Sequence, residues 1–397
     1  MPYCFDQAPS RLGTDSTKWD RYATRDQLDD VIPLWVADMD FACMPEVEQA
    51  IEHRAAHPIY GYSDVPRSLA EAIAGWERRQ HGVEVDPDSI VWNTGVIYGL
   101  YSLVEWLVGP NEKVLVQLPA YPPFFNTPRA LHREVVYTSL IEPKDESDDW
   151  RMDLEDMERQ LASDPSIRMF ILCNPYNPVG RCWTREELEG VLEICDRHSI
   201  YVISDEIHSD IIRPGVAFTS ALACPQYCDN RLIVLGAGTK TFNLAGLKVS
   251  HAIFRDQKMK ETFAAIAKAS GLSSLNIFAV EAAQAAFTNG DEWKDGCVAY
   301  IYDNLAWLKS FVEERLPGVV YRVPEATYLA WLDCRSLGLS VGFCDRLKYE
   351  AGVEFQAGVG FGEAYEGYIR VNCACPRATL QEGMERFASW VERAGAK

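Results

Sequence analysis

RLIVLGAGTKTFNLAGLK, residues 231 to 248, runs from a hydrophobic stretch through small residues to Lys240, just beyond the end of a strand pattern. A cation there is costly to desolvate unless it is neutralised, paired or used chemically. Similar apolar runs precede and follow it: KVLVQLP (113–119), IRMFILC (167–173), YVISD (201–205) and HAIF (251–254). They alternate with helical patterns from about residue 85 to 290, which predicts an α/β domain with a mainly parallel sheet. One such helix is TREELEGVLEICDRH, where Thr184 and Glu187 form a capping box and Leu188, Val191, Leu192 and Cys195 share a face. The tail differs. A helical stretch near 291–315 leads into VVYRVP, TYLAWLD and YIRVN, then a helix after Thr379 with Glu382 as its box partner. The expected division is an N-terminal segment (1–50) joining the smaller α+β domain, a large domain (51–290) and a small C-terminal domain (291–397).

Polar residues gather where the strands stop. Tyr121 follows the first run, Asn177 the second, Asp205 ends the third, and Lys240 follows 231–235. In open α/β sheets the ligand crevice lies outside the carboxyl ends of the strands, so four such residues mark one edge as a site. Each has a chemistry suited to a single ligand. NTGVIYGLYSLVEWL (93–107) opens an amphipathic helix on a glycine turn, so the N–H groups of Gly95, Val96 and Ile97 can cradle a phosphate. Asp205, in SDEIHSD, wants a cationic partner such as a protonated pyridine nitrogen; a carboxylate accepting backbone N–H bonds is the plainer reading. Asn177 can donate to a phenolic oxygen or serve as a turn asparagine between prolines, and Tyr121 can stack on a ring or pack in the core. Lys240 can form an imine with an aldehyde and, once released, act as a general base. Together the set describes pyridoxal 5'-phosphate as cofactor.

Composition narrows the partners. The 397 residues carry 48% hydrophobic and 24% charged residues with a formal net charge of -20, which argues against nucleic acid or an anionic membrane as a general partner. No apolar run approaches the roughly 18 residues that span a bilayer, and the first residues lack a signal-peptide pattern. The 12 cysteines are scattered and match no zinc spacing, so no metal is expected and the cytoplasm is the expected location.

With these residues in view, the chain resembles fold-type I PLP-dependent enzymes of the aminotransferase class I/II superfamily. More narrowly, it resembles the MalY/PatB-type group of cystathionine β-lyases, or C–S lyases. RLGTDSTKWD (11–20), PLWVADMDF (33–41), GYSDVP (61–66), PAYPPF (119–124), NPYNPVGR (174–181), SDEIHSD (204–210), TKTFNLAGLK (239–248), PEATYLAWLD (324–333) and YIRVNCACPR (368–377) carry the likeness. It implies a large domain with a mainly parallel seven-stranded sheet flanked by helices, plus a smaller α+β domain. It also implies that Lys240 binds the cofactor covalently, Asp205 pairs with the ring nitrogen, Asn177 bonds the ring oxygen and Tyr121 stacks on the ring. His208 falls near that oxygen, where many aminotransferases have tyrosine. Thr239 and Lys248 are placed at the phosphate; aminotransferases commonly have arginine at the latter position, and Ala237 stands where a hydroxyl is common.

Arg370 is placed at the substrate α-carboxylate, a task suited to a guanidinium fork, with Trp35 and Ala37 on the substrate side and Asp38 bordering its side chain. Tyr62, with Tyr60 as the alternative, is placed at the phosphate of a neighbouring subunit, which implies a homodimer. The implied activity is β-elimination from a sulfur amino acid such as cystathionine. Two other readings stay open on the residues alone: transamination on the same scaffold, and a PLP-binding regulatory protein without turnover.

Overall fold

The computed structural model describes residues 3–145 and 148–395. The chain divides into two compact units: residues 43–177 with 181–294, and residues 1–42 with 178–180 and 295–397.

The larger unit is built on seven strands: β1 (Ile90–Asn93), β2 (Lys113–Leu118), β3 (Glu134–Ser139), β4 (Ile167–Cys173), β5 (Tyr201–Asp205), β6 (Leu232–Gly236) and β7 (Ser250–Phe254). Their order across the sheet is β1-β7-β6-β5-β4-β2-β3. Neighbours from β6 through to β3 run parallel, whereas β7 is antiparallel to both β6 and β1. The seven-stranded, mainly parallel sheet agrees with the expectation. Valines, isoleucines and leucines of the central strands are almost wholly buried, as expected for strands covered on both faces. Because β6, β5, β4 and β2 are parallel neighbours, their carboxyl ends share one edge.

Helices close the layers. Arg185–Arg197 starts on the predicted capping box, with Thr184 Oγ1 accepting from Glu187 N and the Glu187 carboxylate accepting from Thr184 N. Leu188, Val191, Leu192 and Cys195 are buried, as their spacing requires. Val96–Leu107 follows Gly95, whose φ of 140° is open to glycine and strained for other residues.

The smaller unit holds an antiparallel sheet of β8 (Val320–Tyr321), β9 (Leu329–Asp333), β10 (Gln356–Ala357) and β11 (Tyr368–Asn372), ordered β10-β11-β9-β8. The N-terminal segment joins it by pairing Ile32–Pro33 parallel with Val353–Glu354. Two expectations shift. The strand TYLAWLD begins only at Leu329, because Thr327 adopts a positive φ of 72° that breaks the extended run. The last helix spans Arg377–Gly395, so Thr379 is no cap: the Pro376 carbonyl already accepts from Thr379 N and Leu380 N. Glu382 instead accepts from Arg386 Nη2 at 2.6 Å. Among the described residues no helix is long and apolar enough to cross a membrane.

Candidate active site

In the larger unit the four strand ends deliver their residues to the shared edge. Asp205 is the last residue of β5 and is buried; its Oδ1 accepts from Ile207 N at 3.1 Å. Burial pushes its carboxyl up to about 6, against the pull of the Ile207 N–H and the Lys240 charge. Glu206 beside it is also buried, but its Oε1 accepts from Ser204 Oγ and Ala221 N, both at 2.8 Å. That makes Glu206 a brace between β5 and the short helical turn Ala221–Ala223 and leaves Asp205 as the acid at the strand end. Asn177 is buried four residues past β4, its N–H directed to Cys173 Sγ at 3.4 Å. Tyr121 is half-buried beyond β2, edge-on to Phe124 with centroids 5.6 Å apart. His208 is buried in the turn after β5.

Lys240 is half-buried in a turn after β6 that is closed by two backbone bonds, Phe242 N to Gly238 O at 2.9 Å and Leu244 N to Thr239 O at 3.0 Å. Its charge is felt by Asp205. Thr239 precedes it, and exposed Lys248 lies eight residues on with a φ of 59°. At the start of the helix after β1, the Gly95 N–H, expected in the phosphate cradle, instead donates to Ser250 Oγ at 3.1 Å, so it serves the β1–β7 pair. The N–H groups of Val96 and Ile97 follow at the positive end of the helix dipole, where no acidic residue opposes an anion.

These residues fit pyridoxal 5'-phosphate. A buried carboxylate held at about 6 by desolvation is relieved by a protonated ring nitrogen. An amine stands within its electrostatic reach, and the glycine-led helix start suits a phosphate. Tyr60 and Tyr62 separate clearly. The Tyr60 hydroxyl donates to Ala55 O at 3.0 Å and its ring lies 5.7 Å from Phe278, whereas Tyr62 projects fully into solvent.

The smaller unit carries the other set. Arg370, buried on β11, donates from Nη2 to Trp35 O at 3.0 Å and lies over the Phe361 ring at 4.9 Å. Six successive carbonyls are held in this way. Leu34 O accepts from Asn372 N, Trp35 O from Arg370, Val36 O from Asn372 Nδ2, Ala37 O from the Tyr328 hydroxyl, Asp38 O from Asn372 Nδ2 and Lys18 Nζ, and Met39 O from Arg11 Nη1. Wholly buried Lys18 meets Asp40 Oδ2 at 2.8 Å, and Arg11 takes the Asp38 carboxylate at 2.8 and 3.1 Å. Asp38, expected beside the substrate, therefore has its carboxylate engaged by Arg11. Sequence alone does not single out the roles of Lys18, Asp40, Tyr328 or Asn372, although KWD and a second acid beside an apolar segment, ADMDF, carry a signal.

A mainly parallel sheet with lysine, aspartate and asparagine at its carboxyl edge defines the class. The family model for aminotransferase class I and II matches residues 29–387, and the chain belongs to that family, within its MalY/PatB-type group. It is 38% identical over 384 residues to cystathionine beta-lyase PatB of Bacillus subtilis, covering 96% of this chain and 98% of that one. Protein MalY of Escherichia coli is 31% identical over 386 residues, covering 96% of each chain. The crystal structure of a PLP-bound C-S lyase from Staphylococcus hominis superposes with a TM-score of 0.91 at 30% identity, covering 98% of both chains.

Proposed function

We propose that the chain is a PLP-dependent carbon–sulfur β-lyase that cleaves cystathionine or a related cysteine S-conjugate to a thiol, pyruvate and ammonia. The observation that carries this reading is a desolvated Asp205 within electrostatic reach of Lys240, in a chain 38% identical over nearly its whole length to a cystathionine β-lyase. When bound, the cofactor draws electrons away from the substrate Cα. Asp205 keeps the ring nitrogen protonated, Asn177 donates to the ring oxygen with His208 beside it, and Tyr121 stacks on the ring. The N–H groups of Val96 and Ile97, with Thr239 and Lys248, hold the phosphate. Lys240 would tether the cofactor, and its amine, when free, would take the Cα proton. Arg370 takes the α-carboxylate, with Trp35 and Ala37 on the substrate side. The thiol then leaves Cβ, and water completes the conversion of the remaining three carbons to pyruvate and ammonia. With cystathionine the thiol is homocysteine.

Tyr62 supports a homodimer in which it reaches the phosphate of the second copy. Ile59, Tyr60, Tyr98 and Tyr101 of the same unit are also exposed, apolar surface of the kind a second copy covers. All 12 cysteines are free, which supports a reducing compartment, the cytoplasm. Lys240→Ala tests the reading. We expect loss of the visible absorption of the bound cofactor and of thiol release, and a fully active variant would overturn the role of Lys240.

A further inference from the structure

Thr241, the residue after Lys240, is buried and donates from Oγ1 to Asp210 Oδ2 at 2.6 Å. The other oxygen of Asp210 accepts from Trp76 Nε1 at 2.8 Å and faces His81 Nε2 at 3.0 Å. His81 Nδ1 in turn faces Glu77 Oε2 at 2.7 Å. With a carboxylate at each ring nitrogen, His81 is a donor on both sides, an imidazolium sandwiched between Asp210 and Glu77. Burial alone pushes that imidazole down, but the two acids overcome it and raise it to about 10. Asp210 is correspondingly lowered: burial opposes its charge, and His81, Thr241 and Trp76 outweigh the burial. A second buried histidine nearby, His251, is pushed down to about 4 by desolvation and is neutral. The aromatic walls are as firm. Phe242 is wholly buried, with Trp76, Phe287 and Trp293 at centroid distances of 5.3, 5.9 and 6.1 Å.

The bond has a particular place in the chain. Asp210 lies five residues after Asp205 and two after His208, in a turn held by Ser209 N to Glu206 O and Ile211 N to His208 O, each at 3.0 Å. Thr241 adjoins Lys240. One short bond thus links the turn that follows β5, with its ring-nitrogen acid, to the turn that follows β6, with its amine. The charged side chains of Asp210 and His81 are almost wholly removed from solvent, with Glu77 largely so, and buried charge is a costly way to achieve packing alone. We infer that Asp210 is a positioning residue, anchored by His81 and Trp76, that sets the backbone of Lys240 against Asp205 through the Thr241 hydroxyl. The inference rests on the functional reading above, because it concerns where the lysine presents its amine to the cofactor.

The test is the rate at which the full-length chain, resolved of cofactor and then mixed with pyridoxal 5'-phosphate, forms a borohydride-reducible covalent attachment at Lys240. Thr241→Val removes the hydroxyl and keeps the shape, and a small displacement of a reacting group has a large effect on rate. We expect attachment to slow by about tenfold or more. Thr241→Ser restores the donor and is expected to stay within about twofold of the parent. Asp210→Asn, which loses the ionic acceptor, is expected to slow attachment as Thr241→Val does. Thermal unfolding of the cofactor-free proteins identifies variants that fold, and Thr241→Ala replaces Thr241→Val if the latter does not. Attachment by Thr241→Val at the parent rate, or equal slowing by Thr241→Ser, would overturn the inference while leaving the functional reading intact. A parent chain that forms no attachment would overturn that reading and this inference with it.

Discussion

Arg370 Nη2 donates to the Trp35 carbonyl at 3.0 Å, so the guanidinium is oriented by the backbone of a segment more than 300 residues earlier in the chain. That bond spends part of the donor fork and holds the rest in a set direction, the arrangement that favours a planar carboxylate. Lysine cannot do both. For Arg370→Lys we expect KM for the amino acid substrate to rise about 10- to 100-fold, equivalent to ~1.5–3 kcal/mol for a hydrogen bond to a charged group. The visible absorption of the bound cofactor is expected to be unchanged. Steady-state kinetics beside an absorption spectrum check this; an unchanged KM would remove Arg370 from the carboxylate role.

Asp205 gives a pH-dependent prediction with opposite signs in the empty and loaded protein. Its carboxyl rises from an ordinary 3.8 to about 6 on folding, mainly through burial. The folded chain therefore binds a proton that the unfolded chain releases, and stability is lost as pH rises through that window. Two pKa units correspond to ~3 kcal/mol, fully exacted above pH ~6. Asp205→Asn is expected to stabilise the cofactor-free protein above pH ~6 by up to that amount. In the loaded protein it removes the partner proposed for the ring nitrogen, and turnover is expected to fall by about a hundredfold. Denaturant midpoints of the cofactor-free proteins across pH read the first effect, and steady-state turnover of the loaded proteins reads the second. A destabilised cofactor-free variant at high pH would contradict the account of Asp205.

Tyr62 is fully exposed whereas Tyr60 is tied down within its own chain. If Tyr62 serves the site of a second copy, Tyr62→Ala and Lys240→Ala complement each other. A hybrid dimer has one site in which both residues are intact, supplied from different chains. Refolding the two inactive variants together in equal amounts is expected to recover about a quarter of the parent activity, from random pairing of two-fold symmetric dimers. No recovery from two variants that are each inactive would place Tyr62 in its own subunit's site, and an active Tyr62→Ala would place it outside the site.

The sheet and its site edge were legible in the sequence because central parallel strands are nearly continuous runs of Val, Ile and Leu, and the polar residues follow where those runs end. Glu134–Ser139 was harder to see for the same reason. It is an edge strand, EVVYTS, with most of its side chains exposed or half-exposed, so it carries no strong burial signal. Ile90–Asn93 is only four residues long. Within the site, Lys240, Asp205, Asn177 and Tyr121 stood out as polar residues at strand ends. The tether of residues 34–39 did not, because its acceptors are backbone carbonyls, which leave no mark in residue type. Nothing in SDEIHSD marks Asp210, whose partners Thr241, Trp76 and His81 lie far from it in the chain.

Elimination and transamination use the same cofactor residues, and they differ in whether the enzyme needs a second substrate to complete its cycle. The most direct measurement is pyruvate release from cystathionine by the loaded enzyme with no 2-oxo acid added. Continuous release over many turnovers, with homocysteine and ammonia in equal amounts, is the expected result. A single equivalent of turnover that stops until a 2-oxo acid is supplied would contradict the lyase assignment.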